Sequence, residues 1–166
     1  MSSRMVRHEL NKEELKKLGA KFIDIQGVMF YVKFRINNYK ISYLYHLNSD
    51  NTYFLERIKP YTMAVGNYST EEEIVDLIKV DIEQFSNAMK SKHFKNFLDI
   101  DMNISKLVRI FEDLYLYYNL DDDDIDKING ELDQLLEIFL QIKFKSERVY
   151  LKKEPDVLKD NLQLQK

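Results

Sequence analysis

The stretch VMFYVKFRINNYKISYLYHL (28–47) constrains this chain more than any other. Val28, Phe30, Val32, Phe34 and Ile36 occupy every second position, and Tyr39, Ile41, Tyr43, Tyr45 and Leu47 do the same. Such alternation places each set on one side of a strand. Asn37-Asn38 separates the two sets, and asparagine tolerates the positive φ of a tight type I′ turn. A two-residue turn fixes the register. It sets Ile36 against Tyr39, Phe34 against Ile41, Val32 against Tyr43, Phe30 against Tyr45 and Val28 against Leu47. Every apolar position then meets an apolar or aromatic one, and a slip of one residue would undo all five pairs.

The pattern extends both ways. KFIDIQ (21–26), turning at Gln26-Gly27, sets Ile25 across from Val28 and Ile23 across from Phe30. TYFLERIK (52–59), after the loop Asn48-Ser49-Asp50-Asn51, sets Phe54 beside Tyr45, Ile58 beside Ile41 and Glu56 opposite Tyr43. Pro60 interrupts the ladder, so YTMAV (61–65) is expected as a short edge strand at most. Upstream, Asn11 and Glu14 have capping-box spacing in NKEELKKLGA, and Gly19 suits the left-handed end of a short helix.

After residue 68 the period changes from two to between three and four. Ser69 or Thr70 caps a helix with Glu72 and Glu73 at capping-box distance. Ile74, Leu77 or Ile78, Ile82, Phe85 and Met89 form its stripe. A second helix within 103–120 repeats Ile104, Leu107, Phe111, Leu114 and Tyr118. A third carries Ile125, Ile128, Leu132, Leu135, Phe139 and Ile142. Helices with such stripes pack lengthwise on a partner. Leu116, Leu136, Ile138 and Leu140 lie off the main stripes and widen the apolar faces, which points to burial on two sides or to a homodimer seam. KHFKNFLDID (92–101) reads as a packed corner.

The expected fold class is α+β: a short N-terminal helix, an antiparallel meander of four or five strands, then three amphipathic helices packed on the sheet. One domain is expected over 1–154, with its sheet part at about 20–66 and its helical part at about 69–147. A polar tail follows at 155–166.

LDDDDIDKINGEL (120–132) is the most acidic stretch and the obvious candidate for a cation. An EF-hand loop needs oxygen ligands at positions one, three and five, Gly at six and Glu at twelve. Counting from Asp122 places Lys127 sixth and Asp133 twelfth, while placing Gly130 sixth puts Ile125 first. Neither frame works. Carboxylates at a helix start face the positive end of the macrodipole and cap free N–H groups, which accounts for the stretch.

No other motif carries chemistry. His8, His46 and His93 are far apart and in no metal-ligand spacing. There is no cysteine, and four glycines and two prolines leave no phosphate-cradling loop. Glu56, placed on the core face opposite Tyr43, is read as a hydrogen-bond acceptor rather than a catalytic acid, since no second catalytic group accompanies it. No catalytic residue, metal or cofactor is expected. MSSRMVRHEL has no apolar core of the kind a secretory signal needs, and no run approaches a bilayer-spanning length, so a cytoplasmic protein with no membrane association is expected. Abundant Asn, Lys, Ile, Asp and Tyr without Trp fit an AT-rich coding genome.

The second face of the sheet is the most informative surface. In the inferred register one end is apolar and aromatic (Met29, Tyr31, Leu44, Tyr53, Leu55) and the other basic (Lys33, Arg35, Lys40, Arg57, Lys59). Charge is uneven along the whole chain. Residues 1–68 hold eleven Lys/Arg against six Asp/Glu, and 69–166 hold fourteen against twenty-two. The expected function is a non-enzymatic interaction or regulatory module that binds another protein or itself as a homodimer, with Met29, Tyr31, Leu44, Tyr53 and Leu55 at the contact. The alternative is single-stranded nucleic-acid binding, with bases on Tyr31 and Tyr53 and phosphates on Lys33, Arg35, Lys40 and Arg57. A helix covering the apolar end would leave neither.

Overall fold

The computed structural model describes residues 3–21 and 27–158. Element order is α1 (Ser3–Lys17), β1 (Met29–Ile36), β2 (Tyr39–Leu47), β3 (Tyr53–Lys59), β4 (Met63–Tyr68), α2 (Glu71–Ala88), α3 (Phe94–Tyr117) and α4 (Asp122–Lys145). The fold is α+β, with one antiparallel sheet ordered β1-β2-β3-β4. The chain divides into two compact units, Met1–Val75 and Asp76–Lys166. None of the described helices is long and apolar enough to cross a membrane.

In the first unit the β1–β2 hairpin has the expected register, from Ile36 opposite Tyr39 to Phe30 opposite Tyr45. Within its turn only Asn37 has positive φ, at 52°. The expected type I′ turn has positive φ at both central residues, so the turn departs from it at Asn38. α1 begins at Ser3, so Asn11 lies inside the helix instead of capping it. Its end is as expected, with Gly19 at φ 94°. The strand expected over 21–26 falls outside the described residues from position 22 on, as does Gln26 of its Gln26-Gly27 turn.

The β2–β3 pairing differs by one residue from the expected register. Leu47 pairs with Tyr53, Tyr45 with Leu55, Leu44 with Glu56 and Tyr43 with Arg57. The connecting loop explains it. The Asn48 amide N–H donates to the Thr52 carbonyl at 2.7 Å, and the Thr52 hydroxyl donates to Asp50 at 2.6 Å. The Thr52 amide N–H reaches the same carboxylate oxygen at 3.0 Å, and Asn51 takes φ 63°. Thr52 is thereby held in the loop rather than the ladder, and the extra loop residue flips the β3 side chains from Tyr53 to Arg57. An irregularity at Ser42/Tyr43 then leaves Ile58 without an opposite residue, and Ser42 pairs with Lys59.

β4 is longer than the short edge strand expected over 61–65 and runs to Tyr68. Its pairing shifts at Leu55/Glu56, which leaves Val65 extra, and Gly66 beside it has φ 147°. The Tyr68 hydroxyl donates to the Val65 carbonyl at 3.3 Å. Glycine suits this position: a Cβ there would lie 3.2 Å from the Tyr68 hydroxyl on a backbone that side chains rarely adopt.

The core of the first unit lies on one face of the sheet: Ile41, Tyr43, Tyr45, Leu55 and Arg57, all buried, with Ile74 from the start of α2. Phe30 stacks on Tyr45 at 5.0 Å, and Phe34 meets Tyr43 edge-on at 6.2 Å. Thr70 and Glu73 form the expected capping box. The Glu73 amide N–H donates to the Thr70 hydroxyl at 3.3 Å, while the Glu73 carboxylate accepts from the Thr70 and Ser69 amides at 3.1 and 2.8 Å.

In the second unit Ile78, Phe85, Phe94 and Leu140 are buried. α3 begins at Phe94, nine residues before the segment expected to hold it. Phe94 packs edge-on to Phe85 at 6.4 Å and lies 5.8 Å from Phe97, so the stretch expected as a packed corner over 92–101 is packed, but from Phe94 on it is helix. α4 starts in the acidic stretch, where the Asp121 side chain accepts from the Asp124 amide at 2.9 Å. Asp121→Ala and Thr70→Ala are each expected to lower stability by about 1 kcal/mol, and Asp121→Asn by little. Urea denaturation measures this, and unchanged midpoints in both alanine variants would show that these caps contribute nothing.

Candidate interaction surfaces

The one-residue shift of β3 rearranges the second face of the sheet. Met29, Tyr31, Lys33 and Arg35 remain together with Lys40, Ser42, Leu44 and His46. From β3 this face receives Phe54 and Glu56, not Tyr53, Leu55 and Arg57, and beyond the irregularity at Ser42/Tyr43 it keeps Lys59 opposite Ser42. Leu55 is 1% exposed and Arg57 3% exposed on the core side. The Arg57 guanidinium lies 4.4 Å from the Tyr61 ring centre and 3.5 Å from the Met63 sulfur. The five residues expected at a protein contact are therefore split, with Met29, Tyr31 and Leu44 on one face and Tyr53 and Leu55 on the other. The expected phosphate contacts keep Lys33, Arg35 and Lys40 but lose Arg57, and they gain an acidic neighbour in Glu56.

The remaining members are partly engaged. The Tyr31 hydroxyl donates to the Ser42 hydroxyl oxygen at 3.0 Å, and the Lys33 ammonium lies 5.0 Å from the Tyr31 ring centre. Arg35 stands directly opposite Lys40, a like-charge pair tolerated because both are exposed. The His46 ring lies 5.4 Å from that of Phe54, and its Nδ1 is buried without a hydrogen-bond partner. No helix of the first unit buries this face: Met29 and Tyr31 are 63% and 50% exposed.

Glu56 faces Leu44 and is half-buried, so it does not accept the Tyr43 hydroxyl expected of it. The tyrosine–glutamate bond occurs elsewhere. The Tyr45 hydroxyl donates to Glu71 at 2.6 Å and ties the first turn of α2 to the core face of the sheet. Burial, then the Glu71 bond and charge, push the Tyr45 hydroxyl up to about 12. Hydrogen bonds from the Thr52 hydroxyl and amide lower the Asp50 carboxyl, and Glu83 raises the Lys152 ammonium. Among the described residues no three His, Asp or Glu side chains are grouped as metal ligands.

The second unit presents the larger surface. α3 and α4 are each 24 residues long, yet each has a single buried residue, Phe94 and Leu140. Ile100, Ile104, Leu107, Val108 and Phe111 of α3 are 40–63% exposed. Leu132, Leu135, Leu136, Ile138 and Ile142 of α4 are 36–54% exposed. A surface helix ordinarily turns such a stripe into a core. From these fractions the ten residues leave on the order of 800 Å² of side chain in water, well above scattered surface apolarity. The helices approach one another at an open groove lined by Phe97, Ile100, Ile104 and Phe139, which leaves the rest of each stripe uncovered. The sequence signal for this surface is the set of residues off the main stripes. Leu116, Leu136 and Ile138 are exposed, and only Leu140 is buried.

Residues 147–154 lie against α2. The Asn87 side-chain amide donates to the Val149 carbonyl at 3.3 Å, and Lys152 pairs with Glu83. Arg148 holds the segment in shape by donating to the Tyr150 and Lys153 carbonyls and to both Glu154 carboxylate oxygens. No family model, curated protein or solved structure matches this chain.

Proposed function

We propose that the chain is a non-enzymatic interaction module that binds a protein chain through the apolar surface of α3 and α4. The observation that carries this reading is the exposure of ten large apolar side chains on two helices that bury one residue each. A free monomer seldom leaves so many large apolar side chains of two neighbouring helices in water, and an interface resolves that cost. The sheet's second face is a weaker candidate, whether for protein or for single-stranded nucleic acid. Arg57 and Tyr53 face away from it, and Glu56 adds an acidic group to it opposite Leu44.

The test is the paired substitution Leu107→Asp and Leu136→Asp, at positions 60% and 47% exposed. The variant is expected to keep its helical circular dichroism and to lose association. Either its solution mass falls, or a protein that co-purifies with the parent chain is lost. A folded variant with the same mass and the same co-purifying proteins would overturn the reading.

A further inference from the structure

Glu131, Leu135, Ile138, Ile142 and Lys145 are spaced four, three, four and three residues apart along α4. That spacing keeps all five on one side of a helix, in the pattern of a coiled-coil seam. All five are exposed, with Ile138 at 50% although α3 is in place. α3 therefore does not cover this stripe.

The stripe is apolar in the middle, acidic at its N-terminal end and basic at its C-terminal end. The helix as a whole repeats this, with Asp122, Asp123 and Asp124 in its first turn and Lys143 and Lys145 in its last. A stripe so arranged is its own complement when reversed. Glu131 and Lys145 each lie seven residues from Ile138, about 10.5 Å of helix rise. A two-fold axis at Ile138 sets each Glu131 opposite Lys145 of the other copy, on both sides of an apolar centre. Opposed macrodipoles favour the same orientation, and a parallel pair would set like charges together.

We propose that α4 pairs antiparallel with α4 of a second copy of this chain, with the two-fold axis at Ile138. This rests on reading the helical surface as an interface and names its occupant. The charge self-complementarity selects a second copy over an unrelated helix, because an unrelated partner has no reason to mirror this stripe.

The experiment is sedimentation analysis of the full chain across a concentration series, with circular dichroism on each variant. The parent is expected at twice the 20.0 kDa chain mass and Ile138→Asp at the chain mass. Glu131→Lys and Lys145→Glu each weaken the dimer by at least about tenfold, and the double variant recovers to within a few-fold of the parent. All three exchanges are at exposed positions, so they test the pairing even if Ile138→Asp fails to fold. A monomeric parent, a dimer indifferent to Ile138→Asp, or a double variant no better than the singles would each overturn the proposal. A monomeric parent whose co-purifying protein is lost in the Leu107→Asp/Leu136→Asp variant would overturn self-pairing alone. No loss of either kind would remove the interface reading as well.

Discussion

Leu55→Ala is expected to destabilise the protein by about 2–5 kcal/mol, the usual cost of truncating a buried leucine. Phe54→Ala is expected to cost only about 1–2 kcal/mol, although it removes a larger side chain. Leu55 is 1% exposed on the core face opposite Tyr45, whereas Phe54 is half-buried on the second face beside His46. Hydrophobicity alone ranks the pair the other way, since the register inferred from alternation puts Phe54 against the core. Urea denaturation of both variants decides the point. A Phe54 loss larger than the Leu55 loss would show that β3 is paired one residue differently from the arrangement described.

Raising the pH is expected to remove about 2 kcal/mol of stability through Tyr45. Its hydroxyl titrates near 10 in an unfolded chain and is pushed up to about 12 in the fold by burial and by the bond to Glu71. A pKa raised by folding contributes stability that is fully present below pH 10 and lost as the pH climbs from 10 to 12. Two units correspond to somewhat more than 2 kcal/mol, and the partly exposed Glu71 end of the bond reduces it. Other tyrosines and lysines titrate in the same range, so Tyr45→Phe is the control. The difference in unfolding free energy between parent and variant should be constant below about pH 9.5 and shift toward the variant above it. Parallel pH profiles would show that the Tyr45–Glu71 bond carries no such linkage.

The β3 shift shows why periodicity located the strand but not its face. Both registers place an aromatic or aliphatic side chain in the core: Phe54 and Ile58 in one, Tyr53 and Leu55 in the other. The pattern therefore discriminated weakly. The observed register also buries Arg57, which hydropathy would never select, against the Tyr61 ring and the Met63 sulfur. Polar atoms of Asn48, Asp50 and Thr52 set the loop length, and a single loop residue moved the β3 side chains from Tyr53 to Arg57 to the other face. The candidate sheet site changed with it, because its membership depended on that register.

The helical surface was legible in a different way. The main stripes of α3 and α4 follow from the spacing of their apolar residues, and Leu136 and Ile138 outside those stripes signalled faces wider than one partner covers. Periodicity states which side of a helix avoids water, but not what covers it. Ile104 and Phe85 both belong to the main apolar stripe of their helix, yet Ile104 is 40% exposed and Phe85 6%.

By itself the sequence determined the features governed by neighbours a few residues apart. These are the β1–β2 register set by a two-residue turn, the Thr70–Glu73 capping box, the Asp121 cap that gives the acidic stretch its role, and the Gly19 helix end. Each depends on backbone groups within three or four residues, so local chemistry suffices. Tertiary structure alone decided which β3 side chains enter the core and which apolar stripes remain open to a partner. The open stripes depend on groups distant in the chain competing for the same volume, and the β3 faces on polar side-chain hydrogen bonds inside one loop; the spacing of apolar residues records neither.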